Sequence, residues 1–272
     1  MADQRVALVT GVSSGIGLAT ATRLLEEGFR TFGTIRETSR VSEFPAGLEL
    51  IRLDLRDKES VRAGVQAVLD QAGRIDALIN NAGSVLFGSL EETSIDEAKE
   101  LFETNFFGVL RMCQAILPIM RQQRQGRIVN ISSVLGFLPA PYMGIYAATK
   151  HAIEGYSESL DHEVRRFGVR VSLIEPGFTR TNLNQNGQLV SQPLAAYSVE
   201  RSRALAAVEK SIADGAQPAT VASVVVAAIT SQNPRLRYPG GREAKFLALL
   251  KKFAPQGVLD KGLRKQFGLA AG

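Results

Sequence analysis

Two residues in the stretch "MGIYAATKHAIEGY" could do acid–base chemistry. Tyr146 and Lys150 stand four apart in an apolar-periodic run, so they share one face of a helix. A tyrosine hydroxyl titrates near pH 10, and an ammonium one turn away favours its phenolate. That pairing would make a proton donor and acceptor. The same spacing also lets a lysine stem pack on a tyrosine ring, and the pair alone does not choose. A second stretch, "TGVSSGIG" at 10–17, offers phosphate chemistry. Gly11, Gly15 and Gly17 let the backbone turn sharply and come close to a ligand. A helix starting there presents free N–H groups and a positive dipole end to an anion.

Those residues need elements to carry them. Strand-like runs occur at "VALVT" (6–10), "FRTFGTI" (29–35), "LELIRLD" (48–54), "DALIN" (76–80), "RIVNIS" (127–132) and "VRVSLIE" (169–175), with a short one near 235–238. Helical periodicity fills 15–28, 57–72, 96–123, 145–166 and 218–231. Strand–helix alternation predicts βαβ units and a parallel sheet. Runs as apolar as "VALVT" suit strands covered on both faces. The expected fold is α/β, a doubly wound parallel sheet of Rossmann type with helices on both faces, and its ligands bind at the strands' carboxyl ends. No linker divides residues 1–241, which are expected to form one domain. Residues 178–213 begin polar and irregular, as a lid would.

Composition narrows the class. The chain has 272 residues, 45% of them hydrophobic, enough for a sizeable core. Cys113, its one cysteine, sits in the apolar run "VLRMCQAIL" and reads as a buried thiol in a reducing cytoplasm. The first strand-like run begins at Arg5, which leads us to expect no signal peptide. The apolar run "VASVVVAAI" is too short to span a bilayer. His151 and His162 have no metal-ligand neighbours at useful spacing, so no metal is expected. The net charge is +5, and residues 242–272 carry all of it, with seven basic and two acidic side chains. A neutral body with a basic tail does not read as a nucleic-acid binder.

The glycine spacing GxxxGxG, with "YAATK", resembles the short-chain dehydrogenase/reductase family in its compact single-domain branch. The resemblance covers roughly residues 5–240. "NNAG" at 80–83, supplying Asn81, Ala82 and Gly83, resembles the family's motif beside the adenine ring. Asp54 looks like the acid that accepts from the adenine amino group, with Leu55 beside it. "EPGFTRT" at 175–181, with Pro176, Gly177, Thr179 and Thr181, resembles the segment lining the nicotinamide. Ser133 precedes Tyr146 by the spacing of the family's substrate-binding serine, and Asn105 in "TNFFG" resembles its helix asparagine.

The resemblance implies an oxidoreductase that moves the pro-S hydride between a nicotinamide cofactor and a ketone or secondary alcohol. Tyr146 would be the general acid/base and Lys150 would tune it and bond the ribose. Ser133 would hold the substrate oxygen, and Asn105 would orient Lys150 through a water. Ser13, Ser14 and Ile16 would complete the phosphate loop. At the end of the second strand, "GTIRETS" puts Arg36 where NAD enzymes commonly carry an acid. A guanidinium favours a 2′-phosphate, so NADP(H) is preferred; NAD(H) would follow if Glu37 turned inward instead. Leu86, Phe87, Val134, Leu135, Tyr142, Met143, Phe178 and Leu183 suggest a bulky apolar substrate, in the manner of hydroxysteroid and retinol dehydrogenases. The alternative is a non-catalytic NADPH-binding sensor; a nucleotide-sugar epimerase would need a larger C-terminal domain. Phe246, Leu249, Leu250 and Phe253 form an i, i+3, i+4, i+7 stripe with lysines beside it. The first expectation is a helix packed on its own domain or a neighbouring subunit, in a homodimer or homotetramer. A cleft cap and a basic membrane-surface helix are the lesser readings, and membrane association is not expected.

Overall fold

The computed structural model describes residues 4–36, 44–181 and 187–269. Glu37 and Leu183, named above, lie outside the described residues, as do 270–272 of the tail. Nine strands and nine helices of α type follow one another among the described residues: β1 (Val6–Val9), α1 (Gly15–Glu26), β2 (Arg30–Ile35), β3 (Leu48–Arg52), α2 (Lys58–Ala72), β4 (Ala77–Asn80), β5 (Leu86–Phe87), α3 (Ile95–Phe102), α4 (Gly108–Gln123), β6 (Gly126–Ile131), α5 (Gly144–Val164), β7 (Val169–Glu175), β8 (Gln188–Leu189), α6 (Ser198–Ala213), α7 (Pro218–Thr230), β9 (Arg237–Pro239), α8 (Arg242–Phe253) and α9 (Gln256–Gln266).

Seven strands pair in the order β3-β2-β1-β4-β6-β7-β9, all parallel. The strand order reverses between β1 and β4, where a doubly wound sheet opens a crevice. Alternation along β1 sorts the core. Val6 and Leu8 pack with α2, α4 and α5 through Val65, Met112 and Ile153. Ala7 and Val9 pack with α1 and α7 through Leu24 and Val225 on the other face. The expected fold class is therefore observed. Cys113 is fully buried, and burial pushes its thiol up to about 12, so it stays an inert core thiol.

Three local expectations differ from the structure. The helical run 96–123 is two helices joined by a π-turn, Glu103–Phe107. A Ser94/Glu97 capping box starts α3, and the apolar stripe runs on through the extra residue. The segment after Thr181 is not wholly irregular: β8 pairs with β5, and α6 follows. The stripe on α8 points outward. Phe246, Leu249 and Phe253 are 62%, 52% and 72% exposed and Leu250 is half-buried, while Ala244 and Leu247 pack in the cluster with Phe178 and Val208. Periodicity marks a face of a helix; it does not say which face finds the core.

Candidate active site

The phosphate loop is held from below by side chains of the β4 end. Asn81 donates through Nδ2 to the carbonyls of Thr10 and Gly11 at 2.9 and 3.0 Å. The Thr10 hydroxyl accepts from the N–H groups of Asn81 and Ala82. Gly11 and Gly15 adopt φ of 71° and 60°, where a side chain is strained. A Cβ on Gly17 would lie 2.2 Å from the Gly11 carbonyl oxygen and 2.4 Å from Asn81 Nδ2. Gly17 is thus the floor that lets α1 start beneath the loop, and it does not itself line the cleft. Gly15 is roofed by Thr181, whose Cγ2 would be 3.0 Å from an added Cβ.

Gly11, Ser13, Ser14, Gly15, Ile16, Arg36, Asp54, Leu55, Asn81, Ala82, Gly83, Ser133, Tyr146, Lys150, Pro176, Gly177, Thr179 and Thr181 line one cleft of about 430 Å³ at the carboxyl ends of the strands. At its outer end Arg36 is exposed. Asp54 accepts from the Arg56 backbone N–H at 2.9 Å and from its guanidinium at 3.2 and 2.9 Å. That guanidinium holds the carboxyl below its usual range, and burial opposes it. Arg56 also lines the cleft. Sequence reasoning passed over it, although it stands two residues beyond Asp54.

At the inner end, α5 carries Tyr146 and Lys150, both buried, on one face. Ser133 follows β6 and opens a short 3₁₀ turn, accepting from the Leu135 N–H at 3.1 Å. Burial pushes the Tyr146 hydroxyl up to about 12, while a hydrogen bond from Ser133 pulls the other way. The expectation that Lys150 lowers Tyr146 is not met in this geometry. Lys150 Nζ lies 5.7 Å from the centre of the Tyr146 ring and donates to the Ile131 carbonyl at 2.8 Å. Burial draws the ammonium down to about 8, against the pull of Glu154.

Asn105, inside the π-turn, is buried behind the cleft wall. Its Oδ1 accepts from the Ser84 N–H at 2.9 Å, and its Nδ2 donates to the Ser84 carbonyl at 2.9 Å and to Thr149 Oγ1 at 3.2 Å. Its amide donors are thus spent tying the loop after "NNAG" to α5, one residue before Lys150.

Leu86, Val134, Leu135, Met143 and Phe178 line the cleft as expected; Phe87 and Tyr142 pack in the adjoining cluster. Val208 and Ile212 of α6 also line it. No sequence motif marked them, because α6 buries little more than Ala204 and Val208. No cluster of three or more metal-ligating side chains occurs among the described residues.

A loop whose glycines leave no room for a Cβ, at the start of a helix, fits a pyrophosphate; a buried serine–tyrosine pair with a nearby ammonium fits carbonyl chemistry. The site and the sheet define a nicotinamide-dependent oxidoreductase of the doubly wound α/β class. A sequence model of the short chain dehydrogenase family matches residues 5–189. The chain belongs to the short-chain dehydrogenase/reductase family. Among its relatives is a 3-ketodihydrosphingosine reductase of Bacteroides thetaiotaomicron, 37% identical over 96% of this chain and 97% of that protein. A short-chain dehydrogenase from Streptomyces avermitilis superposes with a TM-score of 0.84 at 35% identity, covering 98% of this chain and 99% of that one. A short-chain dehydrogenase/reductase from Burkholderia phymatum in complex with NAD gives 0.80 at 26% identity, covering 92% and 94%.

Proposed function

We propose that the protein reduces bulky apolar ketones with NADPH. Supporting this, the hydrogen-bonded Ser133 and Tyr146 sit at the wall of the cleft that the phosphate loop opens. A bound nicotinamide supplies the hydride. Ser133 orients the carbonyl oxygen, and Tyr146 gives it a proton. Burial keeps the phenol in its protonated form, the form that gives a proton to the carbonyl oxygen. Lys150 is seated on the Ile131 carbonyl with its ammonium 5.7 Å from the centre of the Tyr146 ring, where it would bond the cofactor's ribose.

Residues 1–241 act as the catalytic domain with 178–213 as its lid, and 242–272 are a basic extension. Leu86, Val134, Leu135, Met143, Phe178, Val208 and Ile212 give the substrate end an apolar lining, consistent with the keto-sphingoid named for the Bacteroides relative. Arg36 at the nucleotide end favours a 2′-phosphate. The relative from Burkholderia was solved with NAD, and a preference for NADH is the second reading. A single, buried cysteine suits a reducing cytoplasm. A homodimer through α4 and α5 would cover Phe107, which is 43% exposed.

The test is NADPH consumption against steroid, sphingoid, aromatic, aliphatic and sugar ketones, with Tyr146→Phe alongside. Turnover on the bulky apolar ketones should fall at least about a thousandfold in the variant. NADPH binding without turnover on any ketone would instead make the protein a sensor.

A further inference from the structure

The outward face of α8 has no partner among the described residues. Phe246, Leu249 and Phe253 are spaced three and four apart and form one exposed row, with Val258 of α9 also 53% exposed. Helical geometry puts Arg242 on the same row, one turn before Phe246, and Lys245 and Lys252 along its flank. The Lys252 ammonium lies 5.4 Å from the centre of the Phe253 ring. Soluble proteins seldom expose a row of large apolar side chains without a use for it.

Charge narrows the occupant. Residues 242–272 hold seven basic and two acidic side chains and carry the whole net charge of the chain. One of the two acids, Glu243, is turned toward the body, with a carboxylate oxygen that would lie 2.6 Å from a Cβ on Gly177 and a hydrogen bond from the Phe178 backbone. A second copy docked through this face would bring two such basic segments together, which opposes association. An apolar row of about two turns, flanked by lysines and carrying aromatics at both ends, matches the boundary between acyl chains and anionic headgroups.

We infer that the α8–α9 face is an interfacial membrane-binding surface for anionic phospholipid. No helix among the described residues is long and apolar enough to cross a membrane, so the protein would rest on the bilayer. The tail does pack on its own domain, through Ala244, Leu247, Leu263 and Phe267, and the inference concerns the row that faces away from it. The placement also has a consequence that rests on the proposed reaction. Gly177 and Phe178, which Glu243 touches, line the cleft, so the bilayer would lie beside the entrance for an apolar substrate.

The experiment is co-sedimentation of the full chain with phosphatidylcholine vesicles and with vesicles that also contain phosphatidylglycerol, at low and high salt. Binding to the anionic vesicles, weakened by salt, is expected. The double variant Phe246→Ser/Phe253→Ser should lower it about tenfold or more, and Lys245→Glu/Lys252→Glu should abolish the anionic preference. All four positions are exposed, so near-ultraviolet circular dichroism should be unchanged in both variants. Vesicle binding is read without turnover, so it stands or falls apart from the ketone reductase reading. The inference is overturned if the parent stays in the supernatant with both vesicle types, or if both variants sediment as the parent does. It is also overturned if the apolar variant changes the molecular mass in solution while vesicles bind nothing; the face would then be a protein interface.

Discussion

The phosphate loop of the cleft is shaped by backbone, and the catalytic end is made of buried ionisable side chains. At the first, the geometry follows from where a Cβ is missing: Gly11, Gly15 and Gly17 abut Ala82, Thr181 and Asn81. At the second, Tyr146, Lys150, Glu154 and Glu175 sit within one buried region, and each is moved from its ordinary titration range chiefly by burial. Steric fit is settled by the residue type at a position. Titration is settled by everything packed around it. The two ends should therefore fail in different ways when altered.

The largest effect is expected in the loop. A Cβ at Gly17 meets backbone oxygen at 2.2 Å, which no rotamer change relieves. Gly17→Ala should cost about 3 kcal/mol of stability and remove NADPH binding. Gly155 offers the internal comparison. It lies in α5 with nothing within 4 Å of an added Cβ, so Gly155→Ala should stabilise by about 0.5–1 kcal/mol through lost unfolded-state freedom. Urea unfolding of both variants measures the contrast. Equal shifts in the two would sink the steric account of the loop.

A smaller, pH-dependent effect is expected behind the catalytic end. Glu175, at the end of β7, is pushed from 4.5 up to about 7 by burial and by the charge of Glu154, while Arg237 opposes. Arg237 Nε lies 3.0 Å from Glu154 and 3.5 Å from Glu175. A carboxyl whose folded pKa is raised gives stability that is fully present below about pH 4.5 and lost as pH climbs through 7. Glu175→Gln removes that dependence. The variant should gain on the parent by on the order of 2 kcal/mol between pH 4.5 and pH 8. A difference in Tm that stays constant across that range would show that Glu175 does not titrate in this window.

The same contrast explains what was legible in the sequence. The strands could be read because β-branched apolar runs bounded by turns have few other homes, and the glycine loop because its spacing is a steric code. Ser133, Tyr146 and Lys150 were found by spacing along the chain. Their energetics were not, since the seat of Lys150 on the Ile131 carbonyl depends on how β6 meets α5. Asn105 was found by its motif, yet its partners Ser84 and Thr149 follow from a π-turn that leaves no mark in periodicity. The α8 stripe is consistent with packing on the domain, on a neighbouring subunit or on a membrane surface, because three- and four-residue spacing reports amphipathicity alone. Its smaller opposite side, Ala244 and Leu247, fits the shallow space beside Phe178.

The smallest effect sharpens the comparison at the nucleotide end, where one side chain works beside the backbone. Arg36 and Arg56 both line the cleft, but they are not equivalent. Arg56 is engaged with both carboxylate oxygens of Asp54, so its charge is partly neutralised. Arg36 bears on Asp54 only through its charge and is exposed at the end of β2. A 2′-phosphate would gain more from Arg36 than from Arg56. Arg36→Ala should raise the KM for NADPH about tenfold and leave the KM for NADH nearly unchanged, and Arg56→Ala should do less. If Arg36→Ala changed neither, phosphate discrimination would not reside in this guanidinium, and Arg56 and the hydroxyls of Ser13 and Ser14, which line the same cleft, would be the next side chains to alter.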